Sequence, residues 1–136
     1  MAQVIPNDLP SLGQPFSWAT RAGGVTFTAH GPVQQDGTID TGSIESQAHL
    51  TFENLRRTLA AGGLTLHDVA QVLIYLTEVE DMRAVDAVYR TFFDAPYPNR
   101  STVVAKALVV PGMRIEIVAY AAPSEACACA ATNSPV

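Results

Sequence analysis

The chain of 136 residues is 48% hydrophobic and 15% charged, with a mean hydropathy of +0.15, which fits one folded domain and excludes a disordered chain. Thirteen acidic residues against eight basic ones leave a net charge of −5 with no basic cluster, so a phosphate backbone would be repelled and nucleic acid is set aside as a partner. So few charges on a small domain also predict that part of its surface is covered by copies of itself.

The opening Met1-Ala2-Gln3-Val4-Ile5-Pro6 has no basic segment followed by an apolar run, and no stretch is apolar for the roughly eighteen residues a membrane span needs. Neither export nor a membrane partner is expected. Short strands are predicted over residues 2–5, 16–21 and 24–30, with Gly23-Gly24 turning the last two into a hairpin. A polar loop follows at 34–38. Ser43-Ile44-Glu45-Ser46 reads as a helix start, Ile44, Ala48, Phe52, Leu55 and Leu59 form one apolar stripe, and Gly62-Gly63 stops the helix.

Residues 69–76 are nearly all apolar and suit a strand covered on both faces. A second helix over 81–93 aligns Met82, Val85, Val88, Tyr89 and Phe92, and Pro96 and Pro98 end it. Strands at 101–109 and 113–121 flank Val110-Pro111-Gly112-Met113, whose Pro and Gly positions suit a type II turn, so a closing hairpin is predicted. The tail, 123–136, lacks bulky apolar groups before Val136 and reads as flexible, leaving residues 1–122 as a single domain. It carries Cys127 and Cys129, one residue apart, where a bridge would close almost no loop and two thiols are too few for zinc. A reducing cytoplasm and no bound metal are the expectation.

The order β-β-β-α-β-α-β-β makes an α+β domain: a mixed six-stranded sheet with two helices on one face. The other face keeps apolar side chains that self-association should bury.

Pro98-Asn99-Arg100-Ser101-Thr102, Arg114-Ile115-Glu116-Ile117-Val118-Ala119 and Val88-Tyr89-Arg90-Thr91-Phe92-Phe93, in that element order, resemble the YjgF/RidA family across residues 1–122. The resemblance implies a chorismate-mutase-like homotrimer with clefts between subunits. It also implies a deaminase that hydrolyses reactive enamines and imines, such as 2-aminoacrylate, to 2-keto acids and ammonia without a cofactor.

Arg100 enters a strand from a Pro-rich loop, so its planar fork can clamp the carboxylate of a small imino or keto acid; the competing reading is an Arg capping a sheet edge or pairing with a surface acid. Glu116 alternates with Ile115 and Ile117 and so faces away from the core, where partial burial would raise its pKa toward a useful base; the competing reading is a solvated strand residue. The resemblance favours the catalytic reading of both. In the expected hairpin Glu116 lies opposite Ala107, seven residues or roughly 23 Å along the strand from Arg100. The two would then meet only across a subunit boundary.

Around them the resemblance places Phe16 as an apolar wall, Tyr89 and Thr102 as pocket-shaping groups, and backbone near His30 and Gly31 at the amine or the water; Phe16 reads equally as packing, Tyr89 first as a core or interface side chain, and a lone His at a strand end first as a structural hydrogen-bonder. Asp86 stands where asparagine is expected, Thr102 where many members carry cysteine, and Ala29-His30-Gly31 where Ser-Gly-Gln is usual, so specificity is open. An Asp86 carboxylate facing the pocket would disfavour a second anionic group, and His30 would add a titratable donor. Glu45, His49 and Glu53 on the first helix are read as a solvated side and His67 as loop surface, rather than as metal ligands. Two other classes stay open: a non-catalytic binder or sensor of small carboxylates such as 2-ketobutyrate, and an endoribonuclease, which the acidic charge disfavours. A catabolic deaminase of aminomuconate-type compounds is a further variant.

Overall fold

Ser43 starts the first helix as its sequence suggests: extended at φ −63°, ψ 159°, it accepts a hydrogen bond on Oγ from the Ser46 amide at 3.1 Å. In the computed structural model, which describes residues 1–123, this helix, α1, spans Ile44–Ala61 and ends on Gly62, with Gly63 at φ +79°. Before it come β1 (Gln3–Val4), β2 (Ala19–Ala22) and β3 (Val25–His30); after it come β4 (Val69–Leu76), α2 (Met82–Phe92), β5 (Asn99–Val104) and β6 (Ile115–Ala121). Single turns of 3-10 helix at Leu66–Asp68 and Val79–Asp81 lead into β4 and α2.

The six strands form one mixed sheet in the order β1-β2-β3-β6-β4-β5. Antiparallel pairing links β1, β2, β3, β6 and β4 in turn, and β5 joins β4 in parallel at the edge. The α2 connection between β4 and β5 is therefore the βαβ crossover that the alternation of elements implied.

The closing hairpin is not formed. Gly112 takes φ +85° and the Met113 amide bonds the Val110 carbonyl at 3.2 Å, so the turn exists, but its flanking strands separate to opposite sides of β4. Burial decides the pairing. Ile115, Ile117, Ala119 and Ala121 are almost wholly buried and need a central strand, while β5 is largely exposed and suits an edge. Gln47 of α1, fully buried, fixes the connecting segment by donating to the Gly42 and Gly112 carbonyls and accepting from the Arg114 amide.

Register assigns the two faces. Val72, Ile74 and Leu76 of β4 share one face with Ile115, Ile117 and Ala119 of β6, and pack with Phe52, Leu55 and Leu59 of α1 and Val85 and Tyr89 of α2. The opposite face carries Phe27, Leu73, Tyr75, Val103, Val118 and Tyr120, with Phe27 41% and Val103 48% exposed. Within one chain β4 is thus covered on one face only. The tail expectation and Cys127 and Cys129 lie outside the described residues.

Candidate active site

Arg100 is the second residue of β5 and pairs in register with Val72, so it points to the helix-covered side of the sheet. There α2 presents Asp86 and Tyr89, three residues apart and so on one helix face. Arg100 Nη1 lies 2.7 Å from Asp86 Oδ1, and the guanidinium carbon sits 4.8 Å from the Tyr89 ring centre. The aspartate contact is a close ion pair through Nη1, and no other acceptor among the described residues engages the fork. Both side chains are 29% exposed and border a cavity of about 200 Å³ with Arg90, Tyr97 and Pro98.

Tyr89 is held by its neighbours: stacked on Phe93 at 4.5 Å and edge-on to Phe52 at 5.6 Å. Its buried hydroxyl has no partner, and desolvation raises its pKa, opposed by the Arg100 charge. Thr102, two residues along β5, also has a buried, unpartnered hydroxyl but borders neither this cavity nor the next.

Glu116 pairs with Tyr75, which pairs with Val103, so its carboxylate lies on the uncovered face. Burial raises its pKa from the ordinary value. It borders a second cavity, about 340 Å³, with Phe16, Trp18, His30, Gly31 and Met113. His30 is buried and stacked on Trp18 at 5.5 Å; neither ring nitrogen has a partner, and desolvation lowers its pKa to about 3, so it is neutral. Phe16, 48% exposed, meets Trp18 edge-on at 4.8 Å. Gly31 packs closely on Met113: a Cβ there would come within 3.1 Å of its sulfur, so the methionine would have to shift by a few tenths of an ångström to admit one. Asn54 of α1 ties the segment down by donating to the Gly31 and Val33 carbonyls.

The residues singled out in the sequence therefore fall into two groups, Arg100, Asp86 and Tyr89 in one cavity and Phe16, His30, Gly31 and Glu116 in the other. The expected position of Glu116 opposite Ala107 is corrected, since no hairpin exists to place it there. The sheet itself separates the two side chains, which sit on opposite faces. Arg90, Tyr97 and Trp18 were missed. Trp18, two residues from Phe16, follows the strand alternation that would have found it; Tyr97, between two prolines, gives no such signal.

The remaining candidates have other partners. His49 packs edge-on against Phe92 at 5.3 Å and Glu53 pairs with Arg56, while His67 sits in the short 3-10 turn. Among the described residues no three His, Cys, Asp or Glu side chains gather to hold a metal ion, and no helix is long and apolar enough to cross a membrane.

A cationic fork backed by an aromatic ring, on a strand edge next to a small cavity, is an arrangement chemically able to accept a small carboxylate. The family model described as endoribonuclease L-PSP matches residues 7–123. The mitochondrial protein mmf2 of Schizosaccharomyces pombe is 35% identical over 114 residues, covering 82% of this chain and 90% of its own. A 2-iminobutanoate/2-iminopropanoate deaminase of Dermatophagoides farinae is 31% identical over 91 residues, 65% of this chain and 71% of its own. Escherichia coli TdcF, solved with bound serine, superimposes with a TM-score of 0.82 at 30% identity, covering 90% of this chain and 99% of that one. The chain belongs to the endoribonuclease L-PSP family, the YjgF/RidA group its sequence resembles, and has that family's fold.

Proposed function

We propose that the protein hydrolyses small reactive enamines and imines, of the 2-aminoacrylate kind, to 2-keto acids and ammonia. The observation that carries this reading is Arg100: a guanidinium backed by Tyr89, paired with Asp86 through one nitrogen only, at a cavity sized for a few heavy atoms. It binds the carboxylate and orients the C=N carbon for attack. Water adds to that carbon, the C–N bond breaks as nitrogen takes up a proton, and ammonium leaves a keto acid. Glu116, whose pKa burial raises, handles the water and the proton.

Because Arg100 and Glu116 occupy opposite faces of one sheet, the complete site is assembled from two copies, Glu116 of one facing Arg100 of the next. The exposed Phe27 and Val103 on the uncovered face supply the apolar surface for such an assembly, which the reading takes to be a homotrimer. No cofactor takes part in these steps. The relatives support the reaction class: one is named an imine deaminase and another was solved with a small amino acid.

The test couples the protein to an amino-acid dehydratase and follows keto-acid release with wild type and Arg100→Ala. Equal acceleration by both removes Arg100 from the mechanism; full turnover by a folded monomeric variant removes the shared site. One observation favours a second reading, a non-catalytic keto-acid binder: within one chain the Arg100 cavity holds no acid or base beyond the paired Asp86 and the tyrosines. Saturable keto-acid binding without faster imine hydrolysis would establish it.

A further inference from the structure

The charge of the Arg100 cavity is not that of a simple anion site. Asp86 puts a carboxylate 2.7 Å from the guanidinium, both half-open to the cavity, and among the described residues no other cation pairs with Asp86. We propose that Asp86 is a specificity residue that fits this cavity to a zwitterion, a substrate whose carboxylate rests on Arg100 while its protonated nitrogen rests against Asp86. This deepens the reading of Arg100 as the carboxylate site and rests on it.

In a 2-imino acid the nitrogen is bonded to the carbon next to the carboxylate, so cation and anion are as closely paired in the ligand as Arg100 and Asp86 are in the site. Laid together, the four groups alternate in sign around a small ring. A 2-keto acid of the same skeleton offers only the anion, which must share Arg100 with Asp86 and meets its charge without compensation. Tyr89 closes the guanidinium's aromatic side, which confines the ligand to the edge where Asp86 also lies. Arg90, at the same cavity, keeps the lining one charge positive, so anions still enter.

The consequence reaches the reaction cycle. Asp86 stabilises the protonated imine, the form that accepts water, and loses its partner when nitrogen departs as ammonium. The product then meets a less complementary site than the substrate did, which favours its release. An asparagine here would keep the shape and remove the discrimination.

The experiment is calorimetric titration of two stable probes of one skeleton, 2-aminobutanoate and 2-oxobutanoate, into wild type, Asp86→Asn, Asp86→Glu and Arg100→Ala. For Asp86→Asn the expected result is roughly fivefold tighter 2-oxobutanoate and roughly fivefold weaker 2-aminobutanoate, with the wild-type ratio restored in part by Asp86→Glu. Arg100→Ala should lose both probes. Binding that needs Arg100 but shows one ratio in wild type and Asp86→Asn overturns the role of Asp86 alone. Binding indifferent to Arg100→Ala, or none by the wild type, overturns the carboxylate site as well. Loss of both probes in a folded Asp86→Asn would make Asp86 a positioning residue for Arg100 and equally overturn the selectivity.

Discussion

The two cavities are built in opposite ways. Around Arg100 the charges are paired and backed by an aromatic cluster, with Tyr89 fixed between Phe52 and Phe93. Around Glu116 the titratable groups are desolvated and unpaired: His30 has no partner for either nitrogen, and Glu116 is raised by burial alone. A pre-paired guanidinium keeps its charge at any working pH and so suits holding a ligand. A carboxylate whose pKa desolvation shifts upward holds its proton more readily than a solvated one, and suits moving protons. The fold keeps the two apart by putting them on opposite faces of one sheet.

Removing the holding group should cost most. Arg100→Ala is expected to lower kcat/KM about a thousandfold in the coupled assay, near 4 kcal/mol of transition-state binding, because it deletes a charge-assisted clamp and leaves Asp86 unpaired beside the ligand. Arg100→Lys should recover only part of this, as a point charge lacks the fork. Glu116→Gln comes next, with about a hundredfold loss confined largely to kcat. Its pH–rate profile should lose the limb that reports the raised carboxylate. A profile identical to wild type would show that Glu116 moves no proton, and the contrast between the cavities would fail.

What the sequence disclosed follows the same division. The α1 stripe from Ile44 to Leu59, the Ser43 cap and the limits of β4 were legible because each is a local pattern of burial or capping. The partner of β6 was not. The Val110–Met113 turn is real, but a turn sets chain direction over four residues, whereas strand order is settled by which face must be buried across the whole sheet. The polar side of α1 was also hidden: Gln47, Thr51, Asn54 and Thr58 are buried, and as isolated letters they look like solvated helix positions. Only the loops they reach, at Gly31, Val33, Gly112 and Arg114, give them a role. For the site, residue types pointed to Arg100 and Glu116, but which side of the sheet each occupies depends on register.

Those buried amides offer a test of how far the Glu116 cavity depends on α1. Gln47→Ala removes one acceptor and two donated bonds in a fully buried setting, leaving the Arg114 amide and the Gly112 carbonyl without partners. The expected cost is about 2 to 3 kcal/mol by chemical denaturation. Asn54→Ala should behave alike and disturb ligand binding near Gly31 more than near Arg100. Equal disturbance at both would mean that the cavities are mechanically one.

The last effect concerns His30 and is read as a slope against pH. Its folded pKa, about 3, lies below the ordinary value of 6.5, so in acid the unfolded chain takes up a proton that the folded chain refuses. Stability from this group is whole above pH 6.5 and falls as pH drops from there toward 3, by at most about 1.4 kcal/mol per unit. Glu116 acts in the opposite sense: its folded pKa is raised, so its burial costs nothing below the ordinary value of 4.5 and destabilises progressively as pH rises from there through the shifted value. Where the two windows overlap, above pH 4.5, the wild-type slope is the difference of the two. Denaturation of His30→Phe, which keeps a ring against Trp18 without the nitrogens, should show a shallower loss toward acid, and Glu116→Gln a steeper one. If His30→Phe keeps the wild-type slope, His30 is protonated inside the fold, and the cavity beside Glu116 holds a charge where the comparison requires none.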